Sequence, residues 1–486
     1  MADEKRKMTK NTMLMMPAKV VEGVLLMAIN ALYSNWTTLE ANGKYQAANT
    51  NVLVLFLITG AWLYNAAARF VADYDGEEGK KTFFSTFMLS YGAVTAAVMA
   101  AAAVLWGVSG NLIYLANGLM LSTYSLLTTS NGLLIQTGRI KASIGVSLLS
   151  VTAKILCAFG LLKLTGAADS PYPLIFAAVL SDILVCSLAL GVLRAPRYTR
   201  LSGFSRRLLG DLLRFGVPLI GMSIGVGLLS MIDRYIVKAV MNDAAMGVYI
   251  TVQAVSSGIF NMISASTVRI TYPALIAGYN HGGREEAEEL LSQGVRLYLL
   301  IALPAALGLL AVCHPLAEFM YQKSVYHENA IIIGLVALGF LMMGLTEYAA
   351  KGYELTKNTR PVLYCSLAAA AVKIAVTIFL VSQMGIVGAA WGTLLSFTFY
   401  FFLVVFSMRD TFTFRLQKHS TLRIFTAAAC CAGAAFLVSR FAPGGALVRL
   451  AISVAAGGAV YVAVLLFTNE LAPELAMIRA ARGRKS

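Results

Sequence analysis

The sequence predicts an all-α polytopic membrane protein of about fourteen transmembrane helices, and three observations carry that prediction. Of 486 residues, 58% are hydrophobic and only 13% charged, with 41 glycines besides, and the mean hydropathy is +0.73. Soluble domains average about 45–50% apolar, glycine included, and about 25% charged. Apolar stretches of roughly twenty residues, the length that crosses a hydrocarbon core, recur along the whole chain. The basic residues gather in alternate connections between those stretches. So apolar a chain excludes soluble enzymes, disordered segments and disulfide scaffolds.

The fourteen stretches are 12–33, 46–67, 83–107, 112–136, 143–163, 172–193, 212–232, 246–270, 293–317, 329–350, 361–382, 385–408, 421–439 and 450–468. Lys19 and Glu22 interrupt the first. No small-residue cleavage site follows that stretch, so it reads as a retained span. With the N-terminus inside, 27 of the 39 Lys and Arg fall on the inner side, 6 on the outer side and 6 within or at the edge of spans. That asymmetry predicts a cytoplasmic (inner) membrane protein with both termini cytoplasmic. The net charge of +15 is then topological, and nucleic acid is not an expected partner. None of the six cysteines stands at metal-ligand spacing from a histidine, so neither a metal nor a disulfide framework is expected.

An internal repeat organises the spans. Pro17 and Pro218 open spans 1 and 7, 201 residues apart. Gly43-Lys-Tyr45 and Gly247-Val-Tyr249 lie 204 apart, before span 2 and at the start of span 8. Tyr74-Asp-Gly76 and Tyr279-Asn-His-Gly282 follow those spans, each succeeded by a charged cluster. Further on, Thr137, Ser147 and Lys154-Ile155 match Thr356, Ser366 and Lys373-Ile374 at an offset of 219. The collinear order predicts two six-helix lobes related by a parallel repeat: 1–193 and 212–408, joined by an Arg-rich cytoplasmic linker, 194–211. Residues 409–486 add two C-terminal helices and a basic cytoplasmic tail.

Local wording then carries a resemblance. Phe215-Gly-Val-Pro-Leu219, Met231-Ile-Asp-Arg-Tyr-Ile236, Gly247-Val-Tyr249 and Leu134-Ile-Gln-Thr-Gly-Arg139, set in this span pattern, resemble the MATE-like (multidrug, oligosaccharidyl-lipid and polysaccharide) exporter superfamily, in its polysaccharide flippase branch. After span 1 this chain has Trp36-Thr-Thr-Leu-Glu-Ala-Asn42 where that branch carries an arginine-leucine-glycine run. The resemblance implies a flippase that moves a polyprenyl-diphosphate-linked oligosaccharide across the cytoplasmic membrane by alternating access, for surface polysaccharide assembly. It implies the lipid bilayer and the polysaccharide polymerase machinery as further partners. The alternative within the same fold is a cation-coupled multidrug exporter.

Charges within spans are costly, about 2.5–3.5 kcal/mol each on insertion scales, so each needs a reason. Lys154 and its repeat mate Lys373 lie mid-span and suit a diphosphate leaving water; the competing possibility is a local ion pair. Arg69 and Arg269, near the cytoplasmic ends of spans 2 and 8, offer guanidinium forks to phosphate, or serve as interfacial arginines. Glu22 and Asp182 are the candidates for coupling to H⁺ or Na⁺, although Lys19 and Glu22 also form a spacing that pairs on one helix face. Glu347 competes for that role, with Lys351 one turn on. Asp233-Arg234, at the outer end of span 7, is expected to act as an outer gate or a contact between the lobes. No phosphate-binding glycine loop is present, and the short outer connections leave no room for a catalytic domain. No catalytic residue and no cofactor are expected.

Overall fold

The computed structural model describes residues 2–356, 360–409 and 412–471, and the described residues are almost wholly helical. The first helices are α1 (Ala2–Trp36), α2 (Leu39–Thr59), α3 (Ala61–Phe70), α4 (Gly76–Ser109), α5 (Ile113–Gln136), α6 (Ile140–Thr165) and α7 (Tyr172–Leu193). A short α8 (Ala195–Tyr198) leads to α9 (Arg206–Val240) and α10 (Asp243–Met320), the last being two helical segments that meet at a kink at Gly283. Then follow α11 (Ser324–Glu328), α12 (Ile331–Leu355), α13 (Arg360–Met384), α14 (Ile386–Met408), α15 (Lys418–Phe441) and α16 (Ala446–Phe467). All fourteen predicted stretches fall on helix. Nine helices among the described residues are long and apolar enough to cross a membrane, ten if α2 and α3, bent by 52° at Gly60, form one span. The difference from fourteen has a physical origin. α10 holds two stretches, and polar or charged residues interrupt the apolar runs of α1, α5 and α9. The basic tail from 472 onward lies outside the described residues.

The chain divides into two compact units, Met1–Val248 and Tyr249–Ser486. In the first, α7 packs on α5 and α6, α1 on α6, and α9 on α2 and α3. One core gathers Trp62, Phe83, Phe84, Phe87, Leu134 and Val185, and another gathers Tyr33, Tyr45, Val52, Leu121, Leu174 and Ala178. In the second unit, α14 packs on α12 and α13, and α15 pairs with α16. Large apolar side chains face outward in both units, among them Leu156, Phe159, Phe402, Phe406, Phe441 and Phe467. Exposed apolar surface on this scale suits acyl chains and not water.

Because lipid is as apolar as leucine, helices in a membrane associate through close packing of small residues more than by expelling water. The two repeat-mate glycines do this within the first unit. A Cβ on Gly43 would stand 2.0 Å from the Asp243 carbonyl oxygen, and one on Gly247 would stand 2.5 Å from Gly43 Cα. Backbone meets backbone there. Gly43→Ala is expected to cost about 2 kcal/mol through overpacking, despite alanine's better helix propensity. Thermal unfolding of the solubilised protein checks it against Gly92→Ala, where the added methyl meets nothing; equal melting of the two variants would contradict the contact.

Candidate functional site

In the first unit the mid-membrane cation has a carboxylate. Lys154 is central in α6, and its Nζ lies 2.9 Å from Asp182 Oδ1 on α7. Asp182 is enclosed, whereas Lys154 keeps 21% of its side chain open. The Tyr33 hydroxyl of α1 donates to the Lys154 carbonyl at 3.1 Å and ties a third helix to the pair. A substrate cation and an ion-coupling carboxylate, read as separate candidates in the sequence, therefore form one unit of charge. At Lys154 the local pair is present.

Lys373 is fully buried in α13, with Nζ 4.9 Å from the centroid of the Phe397 ring on α14. Asp182 and Phe397 each come from the helix that follows their lysine, and the face of the Phe397 ring attracts a cation electrostatically.

Glu22 takes the pairing that its spacing offers, accepting from Lys19 Nζ at 2.7 Å on α1. Arg69, in the last turn of α3, reaches Asp73 at 3.3 Å, and its guanidinium lies 5.7 Å from the Phe70 ring. Both groups of that pair are more than half exposed, so its worth is small. Arg269 differs. It is exposed on α10, four residues before Pro273, and no carboxylate lies within 4 Å of it among the described residues. Asp233 is buried on α9, and Arg234 Nη1 lies 3.5 Å from Thr50 Oγ1 of α2. The next residue, Tyr235, donates to Asn51 at 2.8 Å. Arg234 and Tyr235 thus form a polar seam between α9 and α2.

Two arrangements escaped the sequence reading. Lys351 bonds both oxygens of Glu354, at 2.7 and 2.9 Å, and lies 4.6 Å over the Tyr272 ring, leaving Glu347 exposed. Local spacing favours Glu347, four residues before Lys351, but the lysine lies over Tyr272 and pairs forward with Glu354. Arg296 of α10 donates from Nε to Glu470 Oε1 at 2.7 Å and from Nη2 to the Glu470 carbonyl at 2.7 Å. Ser420 donates to the same carboxylate. Glu470 is buried and stands 174 residues from its arginine.

A further carboxylate fastens the connection after α14. Gly283 (φ 76, ψ −156) kinks α10 in a conformation open to glycine. One turn later, buried Glu288 accepts from Arg284 Nε at 2.7 Å and from the Thr413 amide at 2.9 Å. Burial alone would raise the Glu288 carboxyl, but those hydrogen bonds and the Arg284 and Arg415 charges hold it below the ordinary value.

A family model described as "Polysaccharide biosynthesis protein" matches residues 69–328, more than half of the chain. A probable lipid II flippase MurJ of Thermotoga maritima is 23% identical over 230 residues, 46% of each chain. One from Bdellovibrio bacteriovorus is 26% identical over 133 residues, 26% of this chain and 25% of that protein. The match thus spans a quarter to about half the length of these curated relatives. Among solved structures, lipid II flippase MurJ in an inward closed conformation superposes with a TM-score of 0.74 at 14% identity, over 94% of this chain and 99% of that one. An inward-facing multidrug resistance MATE family transporter of the MOP superfamily gives 0.61 at 14% identity, over 81% and 93%. At such identities these likenesses establish the fold: a polytopic, all-helical membrane fold of the MurJ and MATE kind.

Proposed function

The chain belongs to the polysaccharide biosynthesis protein family, and from that membership we propose that it is a flippase that carries a polyprenyl-diphosphate-linked oligosaccharide across the cytoplasmic membrane. Alternating access between two six-helix lobes, 1–193 and 212–408, supplies the movement in this reading. The names of the MurJ relatives, as lipid II flippases, support a lipid-linked cargo over a soluble one. The observation that carries the reading is Arg269, a cation within a predicted span that is exposed and has no carboxylate within 4 Å among the described residues. A guanidinium left without an anion is suited to take phosphate oxygens in a bidentate grip.

Lys154 enters after it. Protonation of Asp182 cancels the carboxylate charge and frees the ammonium for a phosphate oxygen, which couples substrate capture to H⁺ without a further site. Lys373, wholly enclosed, is assigned to holding the second unit together, Glu22 to neutralising Lys19, and Arg69 to the membrane surface. Asp233 and Arg234 serve the outer closure. Arg269→Gln is expected to reduce surface polysaccharide export about tenfold, the worth of one charge-assisted hydrogen bond. Abundance in the membrane should be unchanged, because an exposed side chain contributes little to stability, and Arg269→Lys should retain part of the activity. Normal export by Arg269→Gln at equal abundance would remove the residue from the mechanism.

A further inference from the structure

The first unit contains a polar cavity of about 390 Å³, lined by residues far along the chain from Arg269. Four helix ends build it. The connection after α3 supplies Tyr74 and Asp75, and the start of α4 supplies Lys80, Phe83 and Phe84. The end of α5 supplies Gln136, Thr137 and Arg139, and the end of α7 supplies Leu193 and Arg194. These α5 residues belong to the run Leu134-Ile-Gln-Thr-Gly-Arg139, and Gly138 (φ 74) makes the turn that carries Arg139 round to the cavity. The Arg-rich linker closes one side. It is held to α4 by the Arg200 amide donating to Ser85 Oγ at 2.9 Å, and by the Ser205 amide donating to Thr86 Oγ1 at 3.0 Å.

The charges in this cavity do not balance. Lys80 is matched by Asp75 at 3.0 Å. Arg139 and Arg194 both line the cavity, and neither has a carboxylate within 4 Å among the described residues. Arg194 moreover has a left-handed backbone (φ 57, ψ 25) at the C-cap of α7, where glycine or asparagine is the usual occupant. A cap alone would not call for arginine there. Because the cavity lies where four spans end on the basic side, it opens at the level of lipid headgroups. Basic pockets between helices on that side suit phosphate headgroups.

We propose that this cavity is a binding site for a phosphate-bearing anion, gripped by the Arg139 and Arg194 guanidiniums. A bound phosphate would tie the ends of α3, α4, α5 and α7 and the linker into one body. The test uses the full-length protein in nanodiscs of phosphatidylcholine, with and without cardiolipin, and separately with inorganic phosphate. Binding is read by native mass spectrometry and by thermal shift. Arg139→Gln and Arg194→Gly are each expected to weaken binding about tenfold. Arg194→Gly relaxes its own backbone, so it should lose the anion while melting no lower than the parent without anion; that combination separates a site from a fold defect. Arg197→Gln, which removes a nearby arginine of the linker that is paired with Glu77 at 3.6 Å and does not line the cavity, should bind as the parent does. Cardiolipin binding lost in both cavity variants identifies a lipid headgroup; protection by inorganic phosphate, lost in the same variants, identifies free phosphate. Binding of neither, undiminished binding in both cavity variants, or an equal loss in Arg197→Gln would overturn the site.

Discussion

Asp182→Ala is expected to destabilise the protein by about 3–5 kcal/mol, because it leaves the Lys154 ammonium in α6 without the carboxylate 2.9 Å away. Lipid offers no water to replace the lost partner, and the lysine is too central for its stem to reach an interface easily. The effect should appear as a lower melting temperature in detergent and reduced abundance in the membrane. Replacing both partners by apolar groups of similar volume, Lys154→Met with Asp182→Leu, should recover most of the loss. The double variant separates the roles of the pair. If it folds but no longer exports polysaccharide, the charges serve transport; if it exports normally, they serve only the first unit. Asp182→Ala melting with the parent would mean that the two charges are not coupled as the geometry requires.

Glu470→Ala should be nearly as damaging, by about 3 kcal/mol, although it lies just beyond the last helix. The carboxylate takes Arg296 Nε at 2.7 Å and lies 3.6 Å from Arg423 Nη1. Loss of it removes the carboxylate partner of a largely buried guanidinium on α10, which keeps bonds to the Glu470 backbone carbonyl and the Ser420 hydroxyl. The consequence should be local. α15 and α16 pack closely on each other and are fastened at this end through Glu470 and at the other by Arg449 donating to Glu318 at 2.6 Å. Protease cleavage in the 409–417 connection should therefore accelerate in Glu470→Ala while the remainder of the chain stays protected. Uniform cleavage throughout the chain would show that the clamp supports the whole fold.

What could be read in the sequence follows the range over which each interaction acts. The spans were legible because twenty apolar residues are a local property, and Lys19–Glu22 because the helix period fixes an i,i+3 neighbour. Lys154 and Asp182 were each conspicuous as charges in apolar runs, yet their pairing depends on how α6 packs on α7. Gly43 and Gly247 were visible as repeat mates, but not as the place where two backbones touch. Arg296 and Glu470 gave no signal at all, since a link across 174 residues leaves no period. The count of spans was least secure where polar residues enter helices, as in α5, whose Ser, Thr and Asn side chains return hydrogen bonds to their own helix or to α6. In the same way, the run ending at Arg139 could be singled out as wording, while the cavity that it lines requires four helix ends to meet.

The most direct measurement is a two-substrate assay in sealed vesicles holding the purified protein and a pH gradient. One set contains a fluorescent polyprenyl-diphosphate oligosaccharide, whose appearance in the opposite leaflet is followed by quenching; the other contains a cationic dye, followed by its movement across the bilayer. The anionic lipid should cross in vesicles with the parent protein and slow about tenfold with Arg269→Gln, while the dye stays where it was placed. Dye movement driven by the gradient, with the oligosaccharide lipid left in its original leaflet, would contradict the account and make the protein a cation exporter.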